Sequence, residues 1–148
     1  MDAVFSLFVN DVILVLQYVG KLFFANDLKI FLVVRSQEYC VKLQSQLNTL
    51  IDWCVRNTMI LWVSKCCVID FFRTKNSVLF DYNVDGTRLQ RVNHVKDLGV
   101  TLDEKLTYTR NFSAIIDKAN RMLGFMFRIS NEFRDHTCYK ALYCSLVR

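Results

Sequence analysis

Lys118, Arg121 and Arg128 are spaced by three and then seven residues, so in a helix their side chains gather on one face. Three cations so grouped make a surface on which a polyanion can dock; a lysine- and arginine-rich solvated face has the same pattern. Residues 1–104 carry eleven basic and eleven acidic side chains, whereas residues 105–148 carry eight and three, so the whole net charge of +5 lies in the C-terminal segment. That asymmetry suggests contact with a polyanion. Metal chemistry through sulfur and nitrogen has little support. The six cysteines Cys40, Cys54, Cys66, Cys67, Cys138 and Cys144 include no CxxC pair, and only His94 and His136 could join them. A structural zinc site is not expected, and the cysteines read as small buried hydrophobes in a reducing, intracellular setting.

The elements that must position these side chains can be read from periodicity. Val4, Phe5, Phe8, Val12, Val15 and Leu16 recur near helical spacing. Lys21 to Phe24 and Leu28 to Val34 predict two strands joined by a tight turn, with the polar pair Asn26 and Asp27 at its tip. Residues 37–56 predict a helix: Ser36 suits its N-cap, Glu38 its positive end, and Cys40, Leu43, Leu47, Leu50, Ile51 and Cys54 line one face. Asn57 suits a left-handed cap. Met59 to Val63 and Cys66 to Arg73 then predict two strands. Phe80 to Val84 and Thr87 to Val92 flank Asp85 and Gly86, the dipeptide favoured in two-residue hairpins.

A further strand is expected around Val95 to Leu102. Helical periodicity follows, with Phe112, Ile115, Ile116, Ala119, Met122, Leu123, Met126 and Ile129 as an apolar stripe expected to be core. Lys118, Arg121 and Arg128 occupy another face of that helix. A last helix is expected from near Asp135, with Cys138, Ala141, Leu142 and Leu146 on one side.

A chain of 148 residues with 53% hydrophobic and 14% aromatic residues can bury a sizeable core. Between Asp11 and Lys21 the apolar run spans only nine residues, too short to cross a bilayer, and no basic stretch precedes it, so no membrane partner is expected.

The run Leu22, Phe23, Phe24, Ala25, Asn26, Asp27, Leu28, Lys29 resembles the motif of reverse transcriptases in which an aromatic residue and alanine precede two aspartates. The order of what surrounds it is similar to non-LTR retrotransposons of the jockey type. Leu7, Phe8, Val9, Asn10, Asp11 precede it. Leu47, Trp53 and Cys54 follow, then Asn57, Met59, Leu61, Ser64, Lys65, Cys66 and a stretch ending Phe72, Arg73. Val95 to Asp103 resembles the segment that closes the palm. Lys118 to Gly124 and the ending Leu142 to Arg148 are similar to the thumb.

The resemblance implies an α+β fold, a partial palm over residues 1–104 followed by a truncated helical thumb over residues 105–148. It also implies nucleotidyl transfer on an RNA or DNA template-primer by paired Mg²⁺ ions. Those ions activate the primer hydroxyl and stabilise the leaving pyrophosphate, and they want anionic oxygen ligands. On the resemblance, Asp27 is a metal-binding catalytic aspartate and Asn26 stands where the first of the motif's two aspartates would be. Lys65 would lie near the incoming nucleotide's phosphates, or be a solvated loop lysine. Leu98 and Gly99 would form a primer-gripping turn, though Gly99 can equally be needed for backbone freedom alone. Lys118, Arg121 and Arg128 would contact template-primer phosphates.

Two departures stand out: Asn26 removes a carboxylate, and Trp62 stands where the family usually has a small polar residue. The aspartate-bearing first palm motif is expected to precede Met1. An inactive polymerase fragment is therefore expected, with a non-catalytic nucleic-acid-binding module and a decayed element as the alternatives.

Overall fold

The structure is a computed structural model that describes residues 10–25, 27–72, 78–129 and 136–146. It divides into two compact units, Met1–Val92 and Asn93–Arg148. Among the described residues there are four α-helices and four two-stranded sheets, three antiparallel and one parallel. The α+β class is therefore observed.

In the first unit, a short helix α1 (Val12–Val15) leads into the hairpin of β1 (Gly20–Phe24) and β2 (Asp27–Phe31). Register pairs Phe24 with Asp27 and Phe23 with Leu28, so the turn is two residues long and contains Ala25 at φ +53°. Alternation along paired strands puts Phe23, Leu28 and Ile30 against the core and leaves Leu22, Phe24 and Phe31 on the solvent side. Lys21 extends its ammonium to the carbonyls of Ile13 and Leu16, where a cation suits the end of α1. Val4, Phe5 and Phe8, expected in the first helix, lie outside the described residues.

Helix α2 (Gln37–Arg56) follows, with Ser36 in extended conformation at its N-cap and Glu38 in the first turn. The Ser36 side chain makes no cap hydrogen bond; its carbonyl accepts from Tyr39 N–H at 3.1 Å. The face that α2 buries includes Cys40, Leu50, Trp53 and Cys54, the last three of which join Val12, Leu16 and Val19 in one core. Each such side chain taken fully out of water contributes roughly 1.5–3 kcal/mol. Gln46 is buried among them, and its Oε1 accepts the Gln17 N–H at 3.1 Å, tying the segment after α1 to the helix.

The end of α2 differs from expectation. Asn57 is at φ −100°, and the left-handed residue is Thr58 at φ +52°. Thr58 N–H donates to Val55 O at 3.2 Å and Met59 N–H to Cys54 O at 2.9 Å, the paired bonds of a Schellman cap. Asn57 instead uses its side-chain amide to bond Trp53 O at 2.8 Å.

Beyond the cap, residues 59–63 do not form the expected strand. Met59 and Leu61 pack on the core while Ile60 and Trp62 point outward, with no strand among the described residues to pair with, and the chain closes into a 3₁₀ turn at Val63–Lys65. The strand expected over Cys66 to Arg73 shrinks to β3 (Cys67–Val68), parallel to β6 (Gln90–Arg91); Arg73 lies outside the described residues. Arg91 anchors this region by pairing with Asp70 and donating to Phe80 O at 2.6 Å.

The Asp85–Gly86 turn is as expected. It joins β4 (Asn83–Val84) to β5 (Thr87–Arg88), with φ values of +50° and +71° that fit a type I′ turn. The Gln44 side chain bonds both backbone groups of Asn83, at 2.8 and 2.9 Å, and so seats β4 on α2. Tyr82 is buried beside Cys40, and burial, with a hydrogen bond to Cys40, raises its phenol above the ordinary range. Of the cysteines only Cys40 and Cys54 are buried; Cys67, Cys138 and Cys144 are exposed, against the expectation for all six.

The second unit opens with a hairpin where one strand was expected. Strands β7 (His94–Asp97) and β8 (Val100–Asp103) pair antiparallel about Leu98 and Gly99. Helices α3 (Thr109–Ile129) and α4 (His136–Leu146) follow. The break between the units thus falls before this hairpin, whereas the sequence suggests one after residue 104. The hairpin belongs with α3 because Asn111, in the helix's first turn, accepts the Thr101 N–H of β8 at 3.1 Å.

Candidate nucleic-acid interface

Asp103, the last residue of β8, organises the approach to α3. Its carboxylate accepts from the N–H groups of Lys105, Thr107 and Tyr108 at 3.0, 3.1 and 2.9 Å, and from the Thr107 hydroxyl at 3.0 Å. Donation by the Thr107 backbone is the largest of the influences that hold this carboxyl below the usual carboxylate range. Leu106 at φ +54° and Tyr108 at φ +58° sit in the left-handed region within the same loop. A carboxylate that gathers four donors holds these two residues in a conformation they seldom adopt alone.

The helix that begins there has two working faces. Lys118, Arg121 and Arg128 are all exposed. Arg121 is held by an Nε–H bond to Asp117 O at 3.3 Å. Lys118 and Arg121 line an open concavity of about 430 Å³ together with Met122 and Phe125. Cations and an aromatic ring therefore share one helix edge, which suits a ligand with phosphates and stackable bases. Phe125, absent from the sequence-based candidates, was discoverable: it stands four residues after Arg121 and seven after Lys118.

The apolar stripe next to this edge is only partly core. Met126 is buried, while Phe112, Ile115 and Ile116 are more than half exposed, so the expected burial fails in the helix's N-terminal half. Within the unit α3 packs on β8 and α4, and those neighbours are too small to cover all of a 21-residue amphipathic helix.

Leu98 and Gly99 form the tip of the β7–β8 hairpin at φ +47° and +88°, the second value being one that glycine adopts freely. Leu98 is exposed. This turn belongs to the same unit as the cationic edge of α3.

Asp27 and Lys65 belong to the first unit. Asp27 is exposed at the start of β2, on the outward side of the hairpin opposite Phe24; Asn26 lies outside the described residues. Lys65 is exposed, and its ammonium lies 4.9 Å from the centre of the Trp62 ring. The paired Mg²⁺ ions implied by the resemblance do not fit these donors. Mg²⁺ requires near-octahedral oxygen ligation, and the turn offers one carboxylate and, from Asn26, a neutral carbonyl. Among the described residues no three His, Cys, Asp or Glu side chains gather to hold a metal. Burial raises the Cys54 and Cys66 thiols, Cys67 adding to the effect at Cys66, which disfavours thiolate chemistry at both. No helix among the described residues is long and apolar enough to cross a membrane.

Comparison with known proteins returns no matching family, no matching curated protein and no matching solved structure.

Proposed function

We propose that this chain is a fragment of an RNA-directed DNA polymerase of the non-LTR retrotransposon type that does not polymerise by itself and binds template-primer nucleic acid through α3. The observation that carries the binding is the edge on which Lys118 and Arg121 line one concavity with Phe125, with Arg128 two turns beyond Arg121. Phosphate neutralisation by such cations supplies most sequence-independent affinity for nucleic acid, and the aromatic ring adds a surface for stacking.

The ancestry rests on sequence order, from the Phe24, Ala25, Asn26, Asp27 turn through Lys65 and Leu98, Gly99 to the α3 cations. The lack of catalysis rests on charge. Paired divalent ions act by stabilising charge on the attacking and leaving oxygens, and one carboxylate cannot hold such a pair. Asp27 and Lys65 are thus remnants of a nucleotidyltransferase site, without turnover in this chain.

Two measurements test the proposal. The purified chain with Mg²⁺ should incorporate no labelled nucleotide on a primed RNA template; incorporation that Asp27→Ala abolishes refutes the loss of catalysis. Filter binding to a primed duplex should weaken steeply as salt rises. Affinity indifferent to salt refutes the phosphate contacts.

A further inference from the structure

We propose that Trp62 and Lys65, in the first unit, form a second nucleic-acid site that stacks one unpaired base of a single strand. It does not depend on the α3 reading, because it uses other residues in another unit. Trp62 is 66% exposed, although tryptophan is the side chain with the most apolar surface to hide. Its loop is held from both ends. Leu61 packs on the core, the Schellman cap at Thr58 fixes the entry, and Lys65 N–H donates to Trp62 O at 2.9 Å on the way out. The ring is therefore presented by ordered backbone.

The electrostatics select an anion. Between Asp52 and Asp70 the chain contains Arg56 and Lys65 and no acidic residue, and Asp70 is itself paired with Arg91. The Lys65 ammonium beside the Trp62 ring makes no ion pair among the described residues. A largely exposed indole with an ammonium over its ring, in no ion pair among the described residues, matches a nucleotide unit, the base stacking on the ring and the phosphate going to the ammonium. Insertion of the same ring into a lipid surface fits less well, because it would take the ammonium resting on the ring out of water.

Trp53 is buried and Trp62 exposed, and the chain has two tryptophans, so Trp62 emission reports the site directly. Titration with a twelve-nucleotide oligothymidylate should quench emission saturably. Trp62→Ala should abolish that quenching and weaken binding about 5- to 150-fold, the range for loss of one stacked base. Trp62→Phe, which still stacks, should retain most of the affinity. Lys65→Gln should lower the salt slope by about 0.7, one single-strand phosphate contact. Quenching should persist in Lys118→Ala/Arg121→Ala/Arg128→Ala, so failure at α3 and failure here are separable. Equal binding of an abasic strand of the same charge overturns the proposal. So does an emission blue shift with phosphatidylserine vesicles in the absence of any quenching by the oligonucleotide.

Discussion

Replacing Lys118, Arg121 and Arg128 together by alanine removes three cations from one edge of α3 at little cost to the helix. All three are exposed, none makes an ion pair among the described residues, and alanine is the best helix former. If each side chain neutralises one phosphate of a duplex, the slope of log affinity against log salt should flatten by about 2.7, at roughly 0.9 per contact. Between 50 and 200 mM salt the unmodified chain should then lose about 40-fold more affinity than the triple variant. Filter binding to a primed duplex at five or six salt concentrations, with helicity followed by circular dichroism, measures both quantities. Equal slopes for the two proteins at equal helicity would show that these cations are a solvated face and that phosphates are held elsewhere, if at all.

Thr58→Gly should stabilise the first unit by about 0.5–1 kcal/mol, because a β-branched residue at the left-handed position of the α2 cap is strained and glycine is not; a lower urea midpoint contradicts this. Gln46→Ala should destabilise the same unit by about 1–3 kcal/mol, since the Gln17 N–H loses its acceptor, read from the urea dependence of Trp53 emission. Asp103→Asn should lower the denaturation midpoint of the second unit at neutral pH. The Asp103 carboxyl is depressed in the folded chain, so its contribution is present above the ordinary carboxylate range and is lost as pH falls through the folded value. The difference between variant and parent should therefore close in acid, and a difference constant from pH 7 to pH 2 counts against the four-donor account.

Much of the local structure was legible from residue order because it depends on near neighbours. The α2 helix follows from Cys40, Leu50 and Cys54 recurring at helical spacing, and the β4–β5 turn from Asp85–Gly86. The three cations of α3 share an edge by spacing alone. Three elements differ from what residue order suggests. The run from Met59 to Val63 is as apolar as a strand, yet a strand exists only where another pairs with it, and among the described residues none does. Val95 to Leu102 reads as one extended run, but Leu98 and Gly99 turn it back on itself. Thr58 rather than Asn57 takes the left-handed position, because the cap hydrogen bonds are satisfied one residue later.

Sequence by itself determined the helix over residues 37–56, the Asp85–Gly86 turn and where positive charge accumulates, all of which follow from backbone preferences and spacing within a few residues. Only the tertiary structure decided which apolar groups are covered and which groups meet. It buried Gln46 and exposed Phe112, Ile115, Ile116 and Trp62, and it joined the Gln46 side chain to the backbone of Gln17. Burial and hydrogen-bond partners depend on residues far apart in the chain, and periodicity carries no record of them.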